Sequence, residues 1–144
     1  MKAKLSPLQL KDIQIIKLSI EENIKGEKKF NIDIDFEPVK VGIGEKNYDG
    51  LVVILKVNNR NRKVRLKVDT EVLLVFEFEE GLSEKKKAQL LLYNGLSIAY
   101  GFLRGLIFQK CSYLKPDDRL LPSINLLEII EKKIEDKTTK VAKE

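Results

Sequence analysis

The 144-residue sequence contains no histidine and a single cysteine, Cys111. Without histidine the usual general base, the commonest metal ligand and the nucleophile–histidine triads are all missing. One cysteine excludes an intrachain disulfide and a zinc site built from several thiolates. That thiol is expected to fill core space as a small apolar side chain, since no histidine could activate it. Carboxylates are plentiful, but they alternate along strand-like stretches or dot helix surfaces instead of meeting in pairs. The residues therefore point to a non-catalytic binding protein with no metal and no cofactor. No charged leader followed by an apolar run opens the chain, and a free thiol makes the cytoplasm the expected compartment.

What is present is an ordinary globular balance, 43% hydrophobic and 34% charged, with a net charge of +5. An acidic partner is permitted by that excess, although basic and acidic residues are mixed over most of the chain, the pattern of a solvated surface. The length suits one domain with a core of its own. We assign residues 1–136 to it and residues 137–144 to a flexible charged tail.

Apolar residues between Leu8 and Ile20 keep a two-residue period with slips, as a bulged strand would. Phe30, Ile32, Ile34 and Phe36 alternate strictly with polar residues. Pro38 is expected to interrupt them, and Val39, Val41 and Ile43 resume on the other phase as an edge strand or extended crossover. Asn47 to Gly50 reads as a turn. Leu51 to Val57 is nearly all apolar, as in a strand covered on both faces. Asn58 to Asn61 reads as a hairpin turn. Val64 to Phe78 then presents one complete apolar face, with Leu73 and Val75 intruding on the other. A helix follows from about Glu84 to Gln109, capped by Ser83 and apolar nearly all round from Leu90 to Phe108. After a loop through Pro116 and Pro122, a last helix starts at Asn125 with Glu128 in the capping-box position and a stripe of Leu126, Leu127, Ile130 and Ile134. Four strands before two helices, without alternation, specify an α+β fold on a four-stranded antiparallel sheet.

Three features compete for a function. The long helix has the length and the Gly101-x-x-x-Gly105 spacing of a membrane span, but Arg104 and the preceding strands favour a core helix between layers. A monomer of this size has little to surround such a helix, so an oligomer is expected. Arg60, Arg62, Lys63, Arg65 and Lys67 form a basic hairpin that no aromatic residue interleaves, which speaks against nucleic acid. The run Phe36, Val39, Val41 and Ile43 is expected to pair incompletely and to stay mobile and partly exposed, a surface for a partner or for another subunit.

Short motifs then resemble a known family. Leu121-Pro122-Ser123-Ile124-Asn125-Leu126 is similar to the L-P-P-I-N-F sequence that opens the last helix of SecB, the protein-export chaperone. Tyr100-Gly101-Phe102-Leu103-Arg104 resembles the long-helix segment of that family, and Phe36-Glu37-Pro38-Val39-Lys40-Val41 its crossover. Ser6-Pro7-Leu8-Gln9-Leu10 resembles the start of SecB-like proteins distinct from the export chaperone. The order of the motifs agrees from about Leu8 to Ile134.

The resemblance implies an ATP-independent holdase, assembled as a tetramer (a dimer of dimers), that takes up unfolded or nascent polypeptides in apolar grooves. Carried onto this chain, the groove positions are Phe36, Val39 and Val41 in the crossover, with Ile124, Leu126, Leu127 and Ile130 around the last helix. Ile43 joins them from the pattern of the residues alone. SecB itself is acidic and hands clients to SecA; the basic charge and lysine-rich tail here speak against that hand-off and leave protection of an antitoxin equally open. The rival readings are a hot-dog thioesterase, with Ser83-Glu84 as its sole candidate site, and a nucleic-acid module using the Arg60 hairpin.

Overall fold

The computed structural model describes the backbone of residues 1–143 and the side chains through Thr138. Four strands, β1 (Leu8–Glu22), β2 (Ile32–Ile43), β3 (Lys46–Val57) and β4 (Leu66–Phe78), precede a long helix (Glu84–Lys110), a short one (Pro116–Arg119) and a terminal one (Leu126–Lys143). The sheet is antiparallel throughout, in the order β1-β4-β3-β2. The expected α+β fold with a four-stranded antiparallel sheet is therefore the one observed. β3 and β4 lie in the middle, and β1 and β2 form the edges.

The slips in the β1 pattern are bulges. Its register against β4 shifts between Leu10 and Asp12 and again between Ile15 and Lys17. Thr70, buried on β4, donates its Oγ1 hydroxyl to the Lys17 carbonyl at 2.8 Å, so the second shift leaves no orphaned acceptor there.

β2 corrects the sequence reading. Pro38 does not interrupt it: the strand pairs with β3 without a gap from Ile32 opposite Val57 to Ile43 opposite Lys46. On an edge strand a proline nitrogen can face outward, where the sheet needs no donor. Of the two alternatives for Val39 to Ile43, the edge strand is the one observed, paired with β3 to its end, and not the extended crossover. Residues Asn47 to Gly50, expected as a turn, belong to β3; the reversal falls at Gly44, whose φ of +63° suits glycine. β3 is not covered on both faces either, since from Leu51 to Val57 fully buried and half-buried residues alternate.

The connection from β3 to β4 is longer than a hairpin turn. Asn58 and Lys63 both take positive φ, and β4 starts at Leu66 instead of Val64. Asn58 is buried, and its amide donates to the carbonyls of Lys29 and Leu66, at 2.7 and 2.8 Å, while its oxygen accepts from the Asn31 N–H at 2.8 Å. A polar side chain is kept inside because every one of its groups is bonded.

The core lies between one face of the sheet and the long helix. Leu51, Val53, Leu55, Leu66, Val72, Leu74 and Phe76 meet a helical stripe of Leu91, Leu96, Ala99, Tyr100, Leu103 and Ile107. The stripe jumps five residues from Leu91 to Leu96, more than an α-turn allows, and the helix absorbs the jump as a π-turn over Leu91–Gly95. A Cβ on Gly95 would lie 3.4 Å from both Leu51 and Phe76, so the helix packs close against the sheet there. This helix is long and apolar enough to cross a membrane, yet its buried stripe is part of the core. Its other side carries Asn94, Ser97, Ile98, Gly101 and Gly105 in the open.

Cys111 is fully buried, and burial, with the Glu22 charge, pushes its thiol up to about 11 against the opposing Arg119. Of the two intruding residues of β4, Leu73 is half-buried on the far sheet face and Val75 is fully buried. Gly50 explains part of this: with no side chain of its own, it lets Val39, Val41 and Leu73 close over it. The terminal helix runs to Lys143, through most of the segment expected as a tail; Glu144 lies outside the described residues.

Candidate polypeptide-binding groove

The terminal helix lies along the β2 edge, and an open groove of about 680 Å³ separates them. Ile32, Ile34 and Phe36 line one wall, and Ile129, Lys132 and Lys133 the other, with Asp33, Asp35, Glu37, Asp136 and Lys137 also at its margins. The strict alternation of β2 places Ile32, Ile34 and Phe36 on the core-side face and Asp33, Asp35 and Glu37 on the opposite one.

Lys133 ties the walls together. Its ammonium lies 4.6 Å from the centre of the Phe36 ring, donates to Asp35 Oδ1 at 2.6 Å and to the Phe36 carbonyl, and sits 3.6 Å from Glu37. Lys137 reaches Glu37 at 3.7 Å. Burial pushes the Asp35 carboxyl upward, but the Lys133 hydrogen bond, the Phe36 amide and the charges of Lys133 and Lys137 outweigh it, and the group is held below the ordinary carboxylate value. The Phe36 carbonyl meets Lys133 and position 38 has no N–H. The middle of this edge therefore offers little to an added strand, and an extended ligand would be held by side-chain contacts.

The start of the terminal helix is fixed from the long helix. Tyr100 Oη donates to the Pro122 carbonyl at 2.5 Å, and Arg104 Nε to the Leu121 carbonyl at 2.9 Å. Asn125 Oδ1 then accepts the Glu128 N–H at 3.1 Å, the expected cap. Nearby, Arg119 donates to the carbonyls of Phe108 and Cys111, satisfying the end of the long helix.

The eight residues expected to bind clients do not form one surface. Phe36 and Ile130 are buried, Phe36 as part of the groove wall. Val39 and Val41 are half-buried against Gly50, and Ile43 is exposed at the end of the β2–β3 hairpin. Ile124 and Leu126 pack against the core, whereas Leu127 is 52% exposed. Ile32, Ile34, Ile129, Lys132 and Lys133 were missed. Their signal was present in the alternation of β2 and in the helical spacing of Leu126, Ile129, Ile130 and Lys133, but a lysine at a stripe position does not announce itself as a wall residue.

At the start of the long helix, Ser83 Oγ accepts the Lys86 N–H at 3.2 Å and so serves as its cap.

Neither a family model nor a curated protein matches the chain. Among solved structures it is similar to the SecB-like chaperone Rv1957 of Mycobacterium tuberculosis, in complex with a ChAD peptide from the Rv1956 HigA1 antitoxin. The TM-score is 0.52 at 16% identity, over 83% of this chain and 91% of that one. The arrangement of sheet and helices is thus a SecB-like fold.

Proposed function

We propose that this chain is an ATP-independent holdase that takes up unfolded or aggregation-prone polypeptides in the groove between β2 and the terminal helix. The groove itself carries the reading: an open cleft with Ile32, Ile34, Phe36 and Ile129 on its walls and charges along its margins suits an extended chain of variable sequence. On the outer side of the same helix, Leu127 and Ile134 (52% and 47% exposed) lie seven residues apart on one face and extend the apolar surface. The similar chaperone is a peptide-bound one, which favours a role in protecting an antitoxin or another labile client over delivery to export machinery. We place the protein in the cytoplasm, acting without catalysis or cofactor.

Assembly as a dimer of dimers needs two self-complementary surfaces, and two are open. The outer edge of β1 is unpaired and bears exposed Ile15 and Ile16; so long an edge needs cover. The outer face of the long helix, with Ser97, Gly101 and Gly105, leaves room for a second helix to approach.

The test is suppression of aggregation of a chemically unfolded protein, at equimolar subunits and without ATP. Protection should be lost in Ile34→Asp/Ile129→Asp, and detectable acyl-CoA hydrolysis by the wild type would favour the thioesterase reading instead.

A further inference from the structure

At the end of the sheet where β1 and β3 finish and β2 and β4 begin, two loops are sewn together. Loop 23–31 gives the Glu27 N–H to the Lys63 carbonyl at 2.7 Å and accepts from the Arg65 N–H at 2.9 Å, and the Asn31 amide reaches Asn61 Oδ1 at 2.9 Å. A Cβ on Gly26 would lie 2.4 Å from the Val64 backbone, so only glycine permits this approach. The result is one surface made from two distant stretches of sequence.

That surface carries Lys25, Lys28, Lys29, Arg60, Arg62 and Lys63, all exposed, against a single carboxylate within the loops, Glu27. None of the six belongs to an ion pair among the described residues, whereas Arg65 beside them is bound by Asp118. Glu21 and Glu22 flank the surface at the end of β1. Two hydrophobic side chains stand there too. Ile24 is 67% exposed among the lysines, and Tyr113, 75% exposed, is joined to Glu22 through its N–H at 3.2 Å.

We infer that this pole docks on anionic membrane surfaces. Clustered lysines and arginines are drawn to acidic lipid headgroups, and an aliphatic and a tyrosine side chain projecting among them can enter the interface. A nucleic acid would make use of the same charges and could stack one base on Tyr113. Loops 23–31 and 58–65, however, expose no ring of their own (Phe30 is half-buried), one ring is no platform for successive bases, and the exposed Ile24 gives a nucleic acid nothing. Binding here is separate from the groove, so its failure leaves the holdase reading untouched.

The experiment is co-sedimentation of the full chain with vesicles of phosphatidylglycerol and phosphatidylcholine, against pure phosphatidylcholine and against single-stranded RNA at equal phosphate. Binding to the anionic vesicles alone is expected. At about fivefold per cation, Lys28→Ser/Arg60→Ser/Arg62→Ser should weaken it roughly 100-fold, and Ile24→Ser, with every charge intact, roughly fivefold. Among the described residues these side chains have no hydrogen-bond partner, and circular dichroism checks that the fold persists. No sedimentation with anionic vesicles, or equal sedimentation of the triple variant, overturns the inference. So does tighter binding to RNA together with indifference to Ile24→Ser, which would assign the pole to nucleic acid.

Discussion

Lys133 of the terminal helix lies over the ring of Phe36 on β2, 4.6 Å from its centre, and bonds to the carboxylate of the residue before it. One side chain thereby joins the two walls of the groove by a ring contact and a charge-assisted hydrogen bond. Lys133→Ala should cost about 1–2 kcal/mol, lowering the melting temperature by about 2–6 °C for a domain of this size. Lys133→Met, which keeps the stem, should recover part of that loss. Thermal melts of the three proteins check it.

The same contact sets an acid limit. Because Asp35 titrates below its ordinary value in the folded protein, its contribution is fully present above the unfolded value of about 3.9 and is lost as pH falls through the folded one. Stability from this contact should therefore be flat from pH 7 to about 5 and decline only below about 4. Asp35→Asn should remove that portion of the acid dependence, which acid titrations followed by circular dichroism would show.

Tyr100 and Arg104 hold the segment that leads into the terminal helix. Tyr100→Phe removes one bond to the Pro122 carbonyl and should cost about 1 kcal/mol. Arg104→Ala strips the carbonyl of buried Leu121 and should cost more, about 1–3 kcal/mol. Denaturant unfolding ranks the two, and faster amide exchange should be confined to residues near 121–130.

Gly50 and Gly42 make a matched pair. A Cβ at Gly50 would meet Val41 and Val39 methyls at 2.7 and 2.9 Å, whereas one at Gly42 finds only Asn47 Oδ1, at 3.6 Å. Gly50→Ala should cost about 1–3 kcal/mol and Gly42→Ala nothing measurable, again by denaturant unfolding.

Much of this fold was legible because β1, β4 and the long helix are long and strongly patterned. The bulges were visible as slips, and the motifs resembling SecB turn out to touch, Tyr100 and Arg104 bonding the carbonyls of Pro122 and Leu121. Pro38 misled because sequence does not say which way a strand nitrogen faces. The π-turn was overlooked because helical apolarity all round hides a five-residue jump. The groove was half legible: Phe36 was found, but Ile32 and Ile34 were seen only as alternating strand positions, and Lys133 was not singled out at all. Partners that would cover the β1 edge leave no trace in one chain.

The proposed assembly can be tested on the open face of the long helix. Around Gly101 there is room for a side chain in the protomer, and leucine favours helix over glycine by roughly 0.5–1 kcal/mol. Gly101→Leu should keep or raise protomer stability while lowering the native mass, because the added side chain blocks helix-to-helix approach. Mass spectrometry under native conditions reads the mass.

The central claim rests on the groove, and the most direct measurement is the affinity of a labelled, permanently unfolded polypeptide for wild type and for Ile34→Asp/Ile129→Asp, followed by fluorescence anisotropy. Two buried apolar contacts at about 1.5–3 kcal/mol each imply at least a tenfold loss in the variant, with native mass and circular dichroism unchanged. Equal affinity of the two proteins, both folded and of the same mass, would contradict it.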